Sequence, residues 1–130
     1  MERLGNHLLA ELFNCDEKCL NNLEWIENAL LGAAKISRLT VINHFFHEFS
    51  PYGISGVVII AQSHLTIHTW PEYGYAAVDI FTCCERDVRK SIDYLKEAFS
   101  AERALVYELQ RGVLPEAVQG KGVPRVVPGI

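Results

Sequence analysis

The sequence predicts an α+β fold, a two-layer sandwich with two helices on one face of a mostly antiparallel sheet. Three observations carry this. Several stretches alternate apolar and polar residues at a period of two, the pattern of half-buried strands. Two other stretches repeat apolar residues at three and four, the pattern of amphipathic helices. Their order is strand, helix, several strands, helix, strand, which places the helices together on one face of the sheet.

Each element has its own signal. Leu4 to Phe13 reads as a strand, with Leu8, Ala10 and Leu12 on one face and Leu9, Glu11 and Phe13 on the other. Asp16 is a candidate N-cap for a helix running to about Ser37, with Leu23, Ile26, Leu30 and Ala33 as its core-facing stripe. Trp25 on that helix reads as a packing residue. Leu39 to Phe49 is a second strand, with Val41, Phe45 and Phe49 on one face and Ile42 and Phe46 on the other. Ser50-Pro51-Tyr52-Gly53 is a turn, since Pro presets one backbone angle and Gly permits positive φ. Ile54 to Ala61 and His64 to Trp70 are the next strands, and Pro71-Glu72-Tyr73-Gly74 is another turn. Tyr75 to Thr82 is a strand with Val78 and Ile80 on one side and Asp79 and Phe81 on the other. A second helix is entered at Asp87 and marked by Val88, Ile92, Leu95 and Phe99; Ala104 to Leu109 is the last strand. From Arg111 onward four Gly and three Pro fall within 20 residues, so this tail reads as loop or loosely docked chain.

One domain, residues 1–130, fits this length, and 49% hydrophobic residues against 22% charged allow a real core. Val57 to Ile60 and the strand Val41 to Phe49 are apolar on both faces, but two helices cover only one. The remedy is a second copy of the chain, the bare sheets packed face to face in a four-layer αββα homodimer. The net charge of −4, without a basic block, argues against a nucleic-acid partner. There is no apolar run of the roughly 20 residues that cross a membrane, and the N-terminus lacks the shape of a signal peptide. The expected setting is the cytoplasm. Cys15, Cys19, Cys83 and Cys84 match no paired-knuckle zinc pattern and read first as small apolar residues.

Reactive side chains are densest between Ser55 and Cys83, where they interrupt sequence otherwise suited to buried strand. His64 and His68 would be a zinc pair on a helix, but on a strand they sit about 13 Å apart. His44 and His47 fall on opposite faces of their strand, so no metal site is expected. A Ser63, His68, Glu72 triad is conceivable, yet no G-x-S-x-G elbow supports it. Glu72, in a turn, also reads as a plain solvated carboxylate. A different chemistry suits Ser63 better. A serine in a strand-to-strand connection is held beside its own peptide bond and can attack the preceding carbonyl at high effective concentration. A strained peptide and a stabilised oxyanion lower that barrier. A nearby His then takes the Cα proton, and the chain is left cut before Ser63 with a pyruvoyl group at the new N-terminus.

The run Ser-His-Leu-Thr-Ile-His-Thr-Trp-Pro-Glu from Ser63, followed by Gly-Tyr-Ala-Ala-Val-Asp-Ile-Phe-Thr-Cys to Cys83, closely resembles the prokaryotic S-adenosylmethionine decarboxylase proenzymes. So do Leu4-Gly5-Asn6-His7-Leu8 and Pro51-Tyr52-Gly53-Ile54-Ser55-Gly56. The resemblance implies cleavage between Gln62 and Ser63 into chains 1–62 and 63–130, with Ser63 becoming the pyruvoyl cofactor. It implies His68 as the processing base, Ser55 as a residue that holds the oxyoxazolidine intermediate, and Cys83 as the proton donor in catalysis. It matches Glu72 to the carboxylate that holds the ribose hydroxyls of S-adenosylmethionine, and Phe49 and His68 to the adenine contacts. It implies a homodimer of cleaved protomers, in agreement with the two-sided strands. The pyruvoyl ketone would take the substrate amine as a Schiff base and act as electron sink, and the product would supply aminopropyl groups for spermidine.

Two residues depart from the family pattern. Gln62 stands where relatives commonly have Glu, which removes a charge but leaves the attacked backbone carbonyl. Cys84 stands where relatives often have Gly. Two other readings compete: a pyruvoyl-dependent decarboxylase of the same fold acting on arginine or ornithine, and a processing-dead homologue that only binds or regulates a partner. Glu72 speaks against the first, and intact Ser63, His68 and Cys83 against the second.

Overall fold

The computed structural model describes residues 3–83 and 86–114. Six strands form one sheet: β1 (Gly5–Phe13), β2 (Val41–Glu48), β3 (Ile54–Ile60), β4 (Ser63–Trp70), β5 (Tyr75–Cys83) and β6 (Arg103–Arg111). Their spatial order is β2-β3-β4-β5-β1-β6, and every neighbouring pair is antiparallel. Helices α1 (Glu17–Leu20), α2 (Leu23–Ile36) and α3 (Arg89–Ala98) complete the α+β architecture. None of them is long and apolar enough to cross a membrane. Cys84 and the tail from 115 lie outside the described residues; Arg111, expected to begin the tail, instead ends β6.

The alternation expected of the strands decides which face is buried. Leu8, Ala10 and Leu12 of β1, Leu65 and Ile67 of β4, and Val78 and Ile80 of β5 point towards the helices and are buried. They meet Ile26, Leu30 and Ala33 of α2 and Ile92 and Leu95 of α3 in one core. Trp25 ties the two helices together, its indole Nε1–H donating to the Ala98 carbonyl at 2.9 Å.

Two further expectations change. The helix from Asp16 to Ser37 is broken in two. Asp16 caps only α1, accepting from the amides of Lys18 and Cys19. Asn21 and Asn22 then interrupt it: Asn22 caps α2 through the Trp25 amide, and Asn21 accepts from the Gly53 amide at 3.1 Å. Short polar side chains that compete for backbone bonds end a helix in this way. In β2 the register shifts between Val41 and Asn43. A bulge of this kind breaks the alternation, so Ile42, expected on the face of Phe46, is exposed while Phe46 packs on the core.

Among the described residues, no helix covers the opposite face of the sheet. Phe45 there is 66% exposed and Ile59 42%, with Leu105, Tyr107 and Leu109 of β6 also exposed.

Candidate active site

The β3–β4 hairpin carries the candidate residues, and they gather at its two ends. At one end the strands are joined by only Ala61 and Gln62, since Ile60 pairs with Ser63. Gln62 takes a φ of 81°. A side chain in that region costs on the order of 1–3 kcal/mol and is tolerated only when its surroundings enforce it. The strained residue supplies the carbonyl next to Ser63. The Ser63 hydroxyl is buried without a hydrogen-bond partner, and so is that of Thr82. In the β4–β5 ladder His64 lies opposite Phe81; the same register continued brings Ser63 to Thr82 and Gln62 to Cys83. Gln62, Thr82, Cys83 and Arg86 line a cavity of about 220 Å³.

At the other end Ser55 pairs with His68, and the Ser55 hydroxyl lies 2.8 Å from His68 Nδ1. Phe49, Tyr52, Ser55, His68, Trp70 and Glu72 line a cavity of about 360 Å³. Glu72 is exposed in the one-turn 3-10 helix Pro71–Tyr73, and Gly74 closes that turn at a φ of 60°. The buried Thr69 hydroxyl pins this end, accepting from the Ile54 amide and donating to the Leu20 carbonyl, both at 2.9 Å.

The two ends do not meet. His68 lies five residues beyond Ser63 on the same strand, about 16 Å of extended chain. The nearby histidine expected to serve Ser63 is therefore not its neighbour within one protomer. Ser63 and Cys83 lie at the same end of the sheet, on adjacent strands, with their side chains on opposite faces; Ser55, His68, Phe49 and Glu72 line one cavity at the other end.

Between them, on the helix-free face, lies a network that the sequence reading did not find. Asp79 accepts from Thr66 and pairs with His7 Nε2 at 2.5 Å, with His64 Nε2 at 3.4 Å. Burial pushes the Asp79 carboxyl up, but hydrogen bonds from Thr66 and His7, with His64 beside it, outweigh this and hold it below its ordinary value. The ligand atoms of His7, His64 and Asp79 lie within 4.8 Å of one another, close enough to hold a metal. The neighbours argue otherwise. Arg111 sits 2.9 Å from His7 Nδ1 and can only donate to it. His7 then carries its ring hydrogen on Nε2, where it donates to Asp79 and offers no lone pair to a cation. The available signal was Asp79 itself, an acid between Val78 and Ile80; finding its partners required the strand register.

The remaining described thiols are poor nucleophiles. Burial, then the neighbouring Cys19, pushes Cys15 up to about 11. Cys19 is raised by burial and Asp16.

Comparison with known proteins shows the family. The family model for S-adenosylmethionine decarboxylase matches residues 6–112. The S-adenosylmethionine decarboxylase proenzyme of Fervidobacterium nodosum is 49% identical over 98% of this chain and 91% of its own. That of Thermotoga maritima is 49% identical over 98% of this chain and 96% of its own. The crystal structure of the adenosylmethionine decarboxylase of Aquifex aeolicus superposes with a TM-score of 0.81 at 37% identity, covering 89% of this chain and 97% of that one.

Proposed function

The chain belongs to the S-adenosylmethionine decarboxylase family, and on that premise we propose that it is a self-processing, pyruvoyl-dependent decarboxylase. It converts S-adenosylmethionine to S-adenosylmethioninamine and carbon dioxide, a product that donates aminopropyl groups for spermidine. Residues 1–62 become one chain and 63–130 the other.

The residues present fit the pyruvoyl group. The observation that carries the reading is Gln62, held at a φ of 81° immediately before a buried, unpartnered Ser63 hydroxyl. Strain at the carbonyl to be attacked and a nucleophile with nothing else to bond both favour cleavage between the two. Once formed, the pyruvoyl group supplies the electron sink for the bond to the departing carboxylate. The chain supplies the rest. With His68 Nδ1–H donating to Ser55, Nε2 keeps a lone pair to take the Ser63 Cα proton during processing. Cys83 returns a proton to the substrate carbon after carbon dioxide leaves. Glu72 holds the ribose hydroxyls by charge-assisted bonds, and Phe49 and His68 offer flat faces to the adenine.

This division of labour needs two copies. Within one chain His68 and Ser63 stand about 16 Å apart along a strand, so each site takes Ser63 and Cys83 from one protomer and Ser55, His68, Phe49 and Glu72 from the other. The exposed apolar residues of the helix-free face, Phe45, Ile59, Leu105 and Tyr107, supply the surface for that packing.

The test is carbon dioxide release by the purified, cleaved protein. Turnover of S-adenosylmethionine, with little from arginine or ornithine, is expected. Faster release from arginine would overturn the substrate assignment.

A further inference from the structure

We infer that Thr82 is a positioning residue for self-cleavage, accepting a hydrogen bond from the Ser63 hydroxyl and turning that oxygen onto the Gln62 carbonyl. The inference rests on the processing reading above and deepens it.

Other buried hydroxyls among the described residues are bonded. Thr69 has its amide and carbonyl partners. Ser91 donates to the Ala33 carbonyl at 2.6 Å and meets Ser37 at 2.6 Å. Among the described residues the buried side-chain oxygens and nitrogens without a partner are Ser63 Oγ and Thr82 Oγ1 alone. Thr82 is 2% exposed. The two lie on adjacent strands, one register step beyond the His64–Phe81 pair, and both point to the helix side of the sheet by alternation with Leu65 and Ile80. Thr82 also lines the cavity that Gln62 lines.

Packing alone does not account for this. A valine would fill the same space without burying an unbonded hydroxyl, and an unpaired buried polar group calls for a reason. Serine has three staggered rotamers. In the one that aims a lone pair at the Gln62 carbonyl carbon, the Ser63 hydrogen needs an acceptor, and Thr82 Oγ1 is the unengaged oxygen beside it. Ser63 Oγ then bonds to the Gln62 carbonyl carbon and the Gln62–Ser63 carbon–nitrogen bond breaks. The proton from Oγ ends on that nitrogen. The product is an ester with a free amine, and no co-reactant is consumed. Thr82 thus acts before the ester forms, and His68 acts after it.

The experiment follows cleavage of freshly purified proenzyme by mass spectrometry in wild type, Thr82→Val, Thr82→Ala and Thr82→Ser. Thr82→Val and Thr82→Ala should slow cleavage by about tenfold or more, the loss of one oriented hydrogen bond. Thr82→Ser should restore most of the rate, which a packing role would not do, because serine lacks the methyl group. Hydroxylamine, which cuts esters, should not release fragments from Thr82→Val faster than its own slow rate. Thermal melting in a Ser63→Ala background reports folding separately, since no chain there is cleaved. Cleavage of Thr82→Val at the wild-type rate, a Thr82→Ser variant as slow as folded Thr82→Val, or rapid hydroxylamine cutting of Thr82→Val would each overturn the inference. A wild-type protein that never cleaves before Ser63 would instead overturn the processing reading.

Discussion

Ser55 Oγ meets His68 Nδ1 at 2.8 Å across the β3–β4 ladder, at the end of the hairpin away from Ser63. The pair is built and oriented, yet it lies about 16 Å of extended strand from Ser63 of its own chain. If each site borrows it from a second copy, two inactive variants should repair one another. Glu72→Gln damages the substrate half and Cys83→Ala the catalytic half. Co-expressed, mixed dimers would each hold one intact site, and activity should recover to about a quarter of wild type under random pairing. The check is decarboxylation by co-expressed against separately expressed proteins. No recovery in verified mixed dimers would place each site within a single chain.

Self-cleavage should depend on Ser63 and on the strain before it. Ser63→Ala should remain one chain and be inactive. In that uncleaved background, Gln62→Gly should raise stability by about 1 kcal/mol, because glycine takes a positive φ without penalty. With Ser63 intact, the same relief should slow cleavage. Urea midpoints and timed mass spectra read the two effects; a Ser63→Ala chain that still breaks at the same bond would refute the mechanism.

Periodicity made the sheet and its buried face legible, because Leu65 and Ile67 alternate with His64, Thr66 and His68 as a half-buried strand requires. The break at Asn21 and Asn22 was hidden by an apolar stripe that continues in α2. The shift near Asn43 was hidden because a bulge leaves no mark on composition. The candidate site residues were named by resemblance, but their division between hairpin ends depends on which residue of β3 faces which of β4. Asp79 with His7, and Ser63 with Thr82, are cross-strand pairs, invisible to any reading along one strand.

Acid should loosen the protein through Asp79. Its carboxyl is held below its ordinary value by Thr66 and His7, with His64 beside it, against the upward push of burial. The unfolded chain therefore binds that proton first as pH falls. The stabilisation is fully present above the unfolded value of about 4 and is lost as pH drops through the lower folded value. Asp79→Asn should flatten this part of the profile and cost about 1 kcal/mol near neutrality. Urea midpoints of the Ser63→Ala chain between neutral and strongly acid pH, with and without Asp79→Asn, provide the test. Identical profiles would mean that the carboxylate contributes nothing to folding.

Gly56 holds the hairpin close to β2. A Cβ there would run into the Phe46 ring at Cγ, Cδ2 and Cε2. Phe46 packs on the core, so Gly56→Ala should destabilise by about 1–3 kcal/mol, as overpacking does. Adding Phe46→Leu should recover part of that loss in denaturant titrations; a neutral Gly56→Ala would show that the ring moves freely.

Cys83, and not Cys84, should be the acid that completes decarboxylation. Cys83 continues the face of Asp79 and Phe81, away from the buried Ile80, and lines the cavity with Gln62. Cys84 lies outside the described residues, and the resemblance matches the acid to Cys83. Cys15 and Cys19 are excluded by place as well as by their raised values, since neither lines that cavity. A thiol, with a reference pKa of about 8.5, is largely protonated near neutral pH yet can give its proton up. Cys83→Ala should therefore keep the cut before Ser63 and lose turnover by about a hundredfold or more, the usual contribution of a placed acid. With no donor on the substrate side, the proton goes to the carbon derived from the cofactor, and the pyruvoyl group is lost by transamination. Mass spectra of the 63–130 chain should record that loss over successive turnovers, faster in Cys83→Ala than in wild type. Cys84→Ala should stay active. A fully cleaved Cys83→Ala with wild-type turnover, or a folded and cleaved Cys84→Ala that is dead, would move the role elsewhere.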